Sequence, residues 1–277
     1  MLTKKNKVML SVGFYLVIAV ILIFTLLPIA WMVLTSFKTK ADIYSSIPKL
    51  FFKPSLKGWE HVLFTMPTVR FILNGLIVAG FNTAICLIVG TLAAFSLSRF
   101  KMKGKENIAF FLLTFRMFPP IAAAVPLFVI FKTFKLIDTQ LSLIFAYILF
   151  NLPFTVWLMR EFISSIPVSL EEAAMVDGLT RMQAFRQIEL PLLKASLAAV
   201  GIFCFIFAWN EFIFALLFTQ SMAKTMPVQI SQFITWKEVT WENASAAGTI
   251  FVLPVLVLVF FIQKYLVIGL SLGTVKG

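Results

Sequence analysis

Apolar residues in this chain run in long blocks broken by short polar segments. No charged residue occurs between Lys7 and Lys38, and none between Arg70 and Arg99. A helix needs about 20 apolar residues to cross a hydrocarbon core of about 30 Å, so residues 10–34 and 71–97 are predicted to span a membrane. Four more blocks follow: 107–131, interrupted by Arg116, Pro119 and Pro120; 140–159; 195–218, carrying Glu211; and 246–267. The pattern predicts an all-α membrane protein with six transmembrane helices, forming a single domain over residues 1–277. Its longest loop on the side of the N-terminus is 160–194, between the fourth and fifth spans. The opening block is too long for a secretory leader and shows no small-residue cleavage site before Lys38, so it is read as a retained helix.

The loop contains the run EEAAMVDGLTRMQAFRQIELP, residues 171–191, which departs from its surroundings in charge. Ser169 followed by Glu172 predicts a capping box at a helix start, with Leu170, Ala173, Ala174 and Val176 as small apolar contacts. Gly178 predicts the stop, because the left-handed conformation that ends helices favours glycine. Thr180 and Gln183 form a second capping box, opening a helix with Met182, Phe185 and Ile188 as its apolar positions, and Pro191 resets the chain. A helix lying on lipid usually concentrates Lys and Arg on its polar face. Here the first helix carries Glu171, Glu172 and Asp177, which anionic lipid repels, so a protein partner with basic groups fits better.

Composition excludes a water-soluble globule: 60% of residues are hydrophobic, 13% are charged, and the mean hydropathy is +0.97, which leaves too little charge for a wetted surface. The formal charge of +12 is scattered among loops and forms no single patch, so nucleic acid is not a predicted partner. The tight cluster RFKMKGKE, from Arg99 to Glu106, is the strongest orientation signal and predicts cytoplasmic N- and C-termini. Cys86 and Cys204 fall inside spans as small apolar fillers. The lone His61 cannot build a multi-histidine metal site and is expected to be solvated in an outer loop. The chain has no G-x4-G-K-[ST] loop, HExxH, paired CxxC or nucleophile elbow, which leaves nucleotide to another chain and no catalytic residues to assign.

Glu172, Ala173, Ala174, three residues, Gly178, nine residues, then Ile188, Glu189, Leu190 and Pro191 follow the pattern EAA-x3-G-x9-I-x-L-P. In this the chain resembles the permease subunits of bacterial ATP-binding-cassette importers. The stretches RMFPPIAAAVPLF, NLPFTVWLMREFISSIP, WNEFIFALLF and the closing GLSLGTVKG resemble the smaller permease of the maltose-type carbohydrate uptake family. The resemblance covers residues 10–277. It implies a type I importer permease fold in the bacterial plasma membrane, with a cytoplasmic coupling helix that fits a cleft on an ATPase. It also implies a second permease, two ATPase copies that use ATP and Mg, and an extracytoplasmic sugar-binding protein. This chain itself would bind no cofactor. The coupling residues it implies are Glu171, Glu172, Ala173, Ala174, Asp177, Gly178, Leu190 and Pro191. The outer loop from Gln220 to Ala247, with Trp236, Lys237 and Trp241, would reach the binding protein or anchor at the interface.

A charge at mid-span costs about 2.5 to 3.5 kcal/mol on insertion scales, so ionisable residues there should face protein or water. Arg116, Pro119, Asn151, Trp157, Asn210 and Glu211 are the candidates for a translocation cavity. An ion pair between Glu211 and Arg116, or a structural contact alone, is equally compatible with the sequence. Pro119 and Pro120, with Pro126 beyond, should kink or break the third span. An ion-gradient-driven secondary transporter is the alternative function.

Overall fold

The computed structural model describes the backbone of residues 4–271 and the side chains of residues 13–261 and 263. The side chains of Lys4, Lys5, Lys7 and Lys264, and the residues from Leu272 to Gly277 that end the closing motif, lie outside the described residues. Among the described residues four helices are long and apolar enough to cross a membrane: α1 (Lys4–Thr35), α2 (Thr68–Arg99), α5 (Gln140–Ser164) and α11 (Trp241–Ser271), the last preceded by the short α10 (Met226–Gln232). Each contains one of the predicted spans. Pro28, Pro153 and Pro254 lie inside three of them without ending them, as isolated prolines in long apolar helices are tolerated.

The third predicted span is not one helix. α3 (Lys105–Met117) and α4 (Pro120–Thr133) meet at 93°. Pro120 removes the α-region from Pro119, and Pro119 does the same to Phe118, so both residues are extended (ψ 130° and 124°). Pro120 then starts α4, where a missing N–H costs nothing. Pro126 does not add a second break; α4 runs through it. The fifth predicted span also divides, into α8 (Lys194–Trp209) and α9 (Ile213–Phe218). Among the described residues, up to six spans result when α3 with α4, and the segment Arg181–Leu192 with α8, are each counted as one bent pair.

Contacts gather into two compact units. One comprises residues up to Thr68 with Ile230–Val252. Its α1 buries none of its apolar window, while the following segment is held by local contacts. Trp59 stacks on Phe37 at 5.5 Å and donates to Ser36 Oγ at 3.2 Å. The ammonium of Lys38 sits 4.1 Å above the Trp31 ring. Lys40 pairs with Glu238, beside a bridge between Ile234 and Val239. His61 is half-buried with its ring edge-on to Phe233 at 6.1 Å, a correction to the expectation of a solvated histidine.

The other unit comprises Val69–Gln229 and Leu253 onward. Its core joins α2, α5 and α8 with the loop between the last two: Cys86, Phe95, Met159, Ile163, Phe185, Leu193, Val200 and Cys204 are buried together. Gly90 lets α2 approach α5 so closely that a Cβ there would lie 2.6 Å from Thr155. A polar lock sits in the same seam, where Asn151 Nδ2 donates to Asn82 Oδ1 at 2.7 Å and to Cys204 O at 3.2 Å. Between α4 and α5, Asp138 adopts φ +60°. Its carboxylate accepts from the backbone N–H groups of Gln220, Ser221, Met222 and Ala223 at 2.9 to 3.2 Å. Burial alone would raise that carboxyl, but these four donors outweigh it and hold it at about 2.

Candidate functional site

The loop after α5 folds as two short helices about a glycine. α6 (Val168–Val176) ends in Asp177, and Gly178 follows at φ +92°. Gly178 N–H donates to Met175 O and Leu179 N–H to Ala174 O, both at 3.1 Å, which satisfies carbonyls left free at the helix end. Thr180 then caps α7 (Arg181–Ala184) in a complete capping box with Gln183. The chain continues through a π-helical turn, Phe185–Glu189, and a single turn, Leu190–Leu192, before bending by 76° into α8.

The first predicted capping box does not form. Pro167, preset at φ −57°, is the N-cap and makes no side-chain cap bond. The helix has already begun at Val168, so Ser169 lies within its first turn. Glu171 also departs from the exposed acidic face expected of it. It is 1% exposed and turned inward, with Oε2 3.2 Å from Arg99 Nε and Oε1 2.9 Å from Arg181 Nε. Arg99, 4% exposed at its side chain, also bonds Glu189 Oε1 at 2.7 Å. Its Nη2 donates to the carbonyls of Ile163 and Ile166, each at 3.1 Å. Two guanidiniums and two carboxylates thus close a charge-balanced cluster, buried except at Arg181, whose side chain is 39% exposed. Burial pushes the Glu189 carboxyl up, and Arg99 pulls it back.

What the loop leaves exposed is different. Glu172, Ala173, Asp177, Gly178 and Pro191 are exposed, Leu190 is half-buried, and Ala174 is buried. Val168, Leu170 and Met182 are exposed among them, and Val176 is 87% exposed. Around α6 the surface is apolar with an acidic rim made by Glu172 and Asp177, and Arg186 is exposed further along the loop.

A second site lies where the broken helices meet. A cavity of about 320 Å³ is lined by Arg116, Pro120, Asn151, Phe207 and Glu211, with Phe118, Tyr147, Phe150, Ala208 and Phe214 completing the wall. Three predicted residues, Arg116, Asn151 and Glu211, come together there. Pro119 adjoins it through Pro120. Trp157, half-buried on α5, and Asn210, exposed at the end of α8 with Nδ2 bonded to Ile206 O at 2.8 Å, do not line it. No ion pair joins Arg116 to Glu211. Arg116 lies over the rings of Phe207 and Phe154 at 4.2 and 5.1 Å, with Phe150 O at 3.5 Å. Glu211 instead caps α9, accepting from Phe214 and Ala215 N–H at 3.0 and 3.2 Å. That spacing, an acceptor three and four residues before apolar amides, is the signal by which the second break is readable. No cluster that could hold a metal occurs among the described residues.

The profile of the binding-protein-dependent transport system inner membrane components matches residues 86–271. Over 277 residues the chain is 35% identical to the trehalose/maltose transport system permease protein MalG of Thermococcus litoralis, covering 98% of each. It is 35% identical over 260 residues to the trehalose transport system permease protein SugB of Mycobacterium tuberculosis, covering 92% of this chain and 93% of that one. Among solved structures, a chain of a bacterial ABC transporter involved in the import of the acidic polysaccharide alginate shares the fold, with a TM-score of 0.75. It is 20% identical and is covered to 99% by 96% of this chain.

Proposed function

The chain belongs to the family of binding-protein-dependent transport system inner membrane components, and from that premise we propose that it forms half of the translocation pathway of an ATP-driven sugar importer. Relatives named for trehalose and maltose support the substrate class. The observation that carries the mechanism is the exposed loop at Gly178, whose apolar surface and acidic rim suit a cleft on a basic protein partner. The partners are a second permease, two copies of a cytoplasmic ATPase that binds ATP and Mg, and an extracytoplasmic sugar-binding protein. The whole chain acts as one permease domain with six spans, counting each bent pair as one, and both termini cytoplasmic. α1, which buries nothing of its apolar window, faces lipid and the second permease.

Closure of the ATPases displaces the loop, and the membrane helices rock between inward- and outward-facing states. The work of this chain is mechanical: Glu172, Asp177 and Gly178 receive the displacement, and no bond is made or broken here. At the cavity, Arg116 and Glu211 offer a donor and an acceptor while Phe207 and Phe150 offer ring faces, a combination suited to a hydroxylated ring. On the outer side, Trp236, 91% exposed beside Lys237, extends toward the binding protein.

The test is uptake by the complete complex in proteoliposomes. Uptake that requires ATP, the ATPase and the binding protein is expected. Uptake by this chain alone, driven by an ion gradient without ATP, would overturn the proposal in favour of a secondary transporter.

A further inference from the structure

We propose that Arg99 transmits movement of the loop to the membrane-spanning helices, a positioning role that rests on the coupling function proposed above. Arg99 belongs to the basic cluster RFKMKGKE, which by sequence alone signals only orientation. Its side chain is not on the surface. From the last residue of α2 it reaches Glu171 on α6, Glu189 on the π-helical turn, and the carbonyls of Ile163 and Ile166 at the end of α5. One planar group therefore joins four segments. Arg181 on α7 closes the circuit through Glu171 and lies over the Phe100 ring at 5.1 Å.

The need for such a tie follows from how the loop is connected. It leaves α5 at Pro167 and enters α8 at the 76° bend beside Leu193, two turning points about which a pushed loop would pivot. Arg99 supplies the lateral connection to α2 that blocks the pivot. The Phe95 and Phe185 rings, 4.4 Å apart, brace the same junction. Further along these helices, Asn82 on α2 and Asn151 on α5 are bonded at 2.7 Å, and Asn151 lines the cavity. A displacement of the loop thus reaches the cavity wall through α2 and α5 moving together.

Arginine is specifically required. Its fork presents five N–H donors in fixed geometry, whereas a lysine ammonium cannot serve two carboxylates and two carbonyls at once. Breaking the cluster leaves buried carboxylates uncompensated.

The experiment uses the complete importer in proteoliposomes and reads substrate molecules moved per ATP hydrolysed, alongside ATPase co-purification and thermal stability. Arg99→Lys should assemble and hydrolyse ATP while transport per ATP falls roughly tenfold. Glu189→Gln, which leaves Arg99 paired with Glu171, should give a smaller fall in the same ratio. An Arg99→Lys complex with the wild-type ratio overturns the proposal. If that variant fails to assemble, Glu189→Gln decides: a lowered ratio supports transmission, and an unchanged one overturns it. Failure of the wild-type complex to couple ATP to uptake would instead remove the coupling function itself.

Discussion

Replacement of Gly178 by valine isolates the loop geometry from the rest of the fold. At φ +92° glycine is unstrained, while an added Cβ would meet no atom within 4 Å in this chain. The cost is therefore conformational with no steric clash, about 1 to 2 kcal/mol for a residue forced into the left-handed region. Domain stabilities are about 5 to 15 kcal/mol, so folding and insertion should survive. The same cost changes the population of the docking-competent loop by roughly 5- to 30-fold. Uptake into proteoliposomes should fall at least that far, and further if the branched side chain meets the ATPase. Asparagine tolerates the left-handed region, so Gly178→Asn separates the two effects. Recovery with Asn indicates backbone geometry, whereas equal loss with Asn and Val indicates crowding at the docking surface. Wild-type uptake by Gly178→Val would refute the assignment of this loop to coupling.

Arg116→Gln should raise the substrate concentration for half-maximal uptake about tenfold or more with assembly unchanged; an unaltered dependence would remove Arg116 from the binding surface. The Asp138 carboxyl is held at about 2, below the ordinary carboxylate value of about 3.9. Its stabilisation is thus complete above about pH 4 and lost as pH falls toward 2, and screening limits it to about 1 to 2 kcal/mol. Asp138→Ala should speed amide exchange at Gln220 to Ala223 at neutral pH, and unchanged exchange would show the clamp to be dispensable. Cysteine labels at the exposed positions Lys103 and Gln183 should react only from the cytoplasm, and labels at Lys53 and Lys237 only from outside. The reverse pattern would place the loop on the wrong side of the membrane for an ATPase.

The features legible in the sequence are those set by neighbours along the chain. Blocks of uncharged residues mark α1, α2, α5 and α11, because a span must be apolar throughout. Gly178 and the Thr180–Gln183 box are local chemistry and form where the residues predict. Pro119 and Pro120 announce the break that follows α3. What is not legible depends on partners far along the chain. Glu171 and Glu172 are adjacent and identical, yet one is buried against Arg99 and Arg181 and the other is exposed, because helical phase sends one toward α2 and the other away. The Ser169–Glu172 pattern fails because Pro167 sets the helix start first. Asn210 and Glu211 interrupt what reads as one span, since their polar groups terminate α8 and begin α9.

The inward turn of Glu171 changes what the loop can dock against. A lipid-lying helix would combine its apolar face with basic residues that meet anionic headgroups. On α6 and its cap the charges that remain outside are Glu172 and Asp177, while Arg99 is buried against Glu171 and Glu189, and Arg181, part-exposed, is paired with Glu171. Val168, Leu170, Val176 and Met182 nevertheless stay exposed, a liability for any surface that is not covered. An apolar patch with an acidic edge is repelled by anionic lipid and unstable in water, and the buried cluster beneath it keeps both features in place. The surface that satisfies these constraints together is a protein cleft with an apolar floor and a basic rim, so the charges taken into the interior select the partner as much as those left outside.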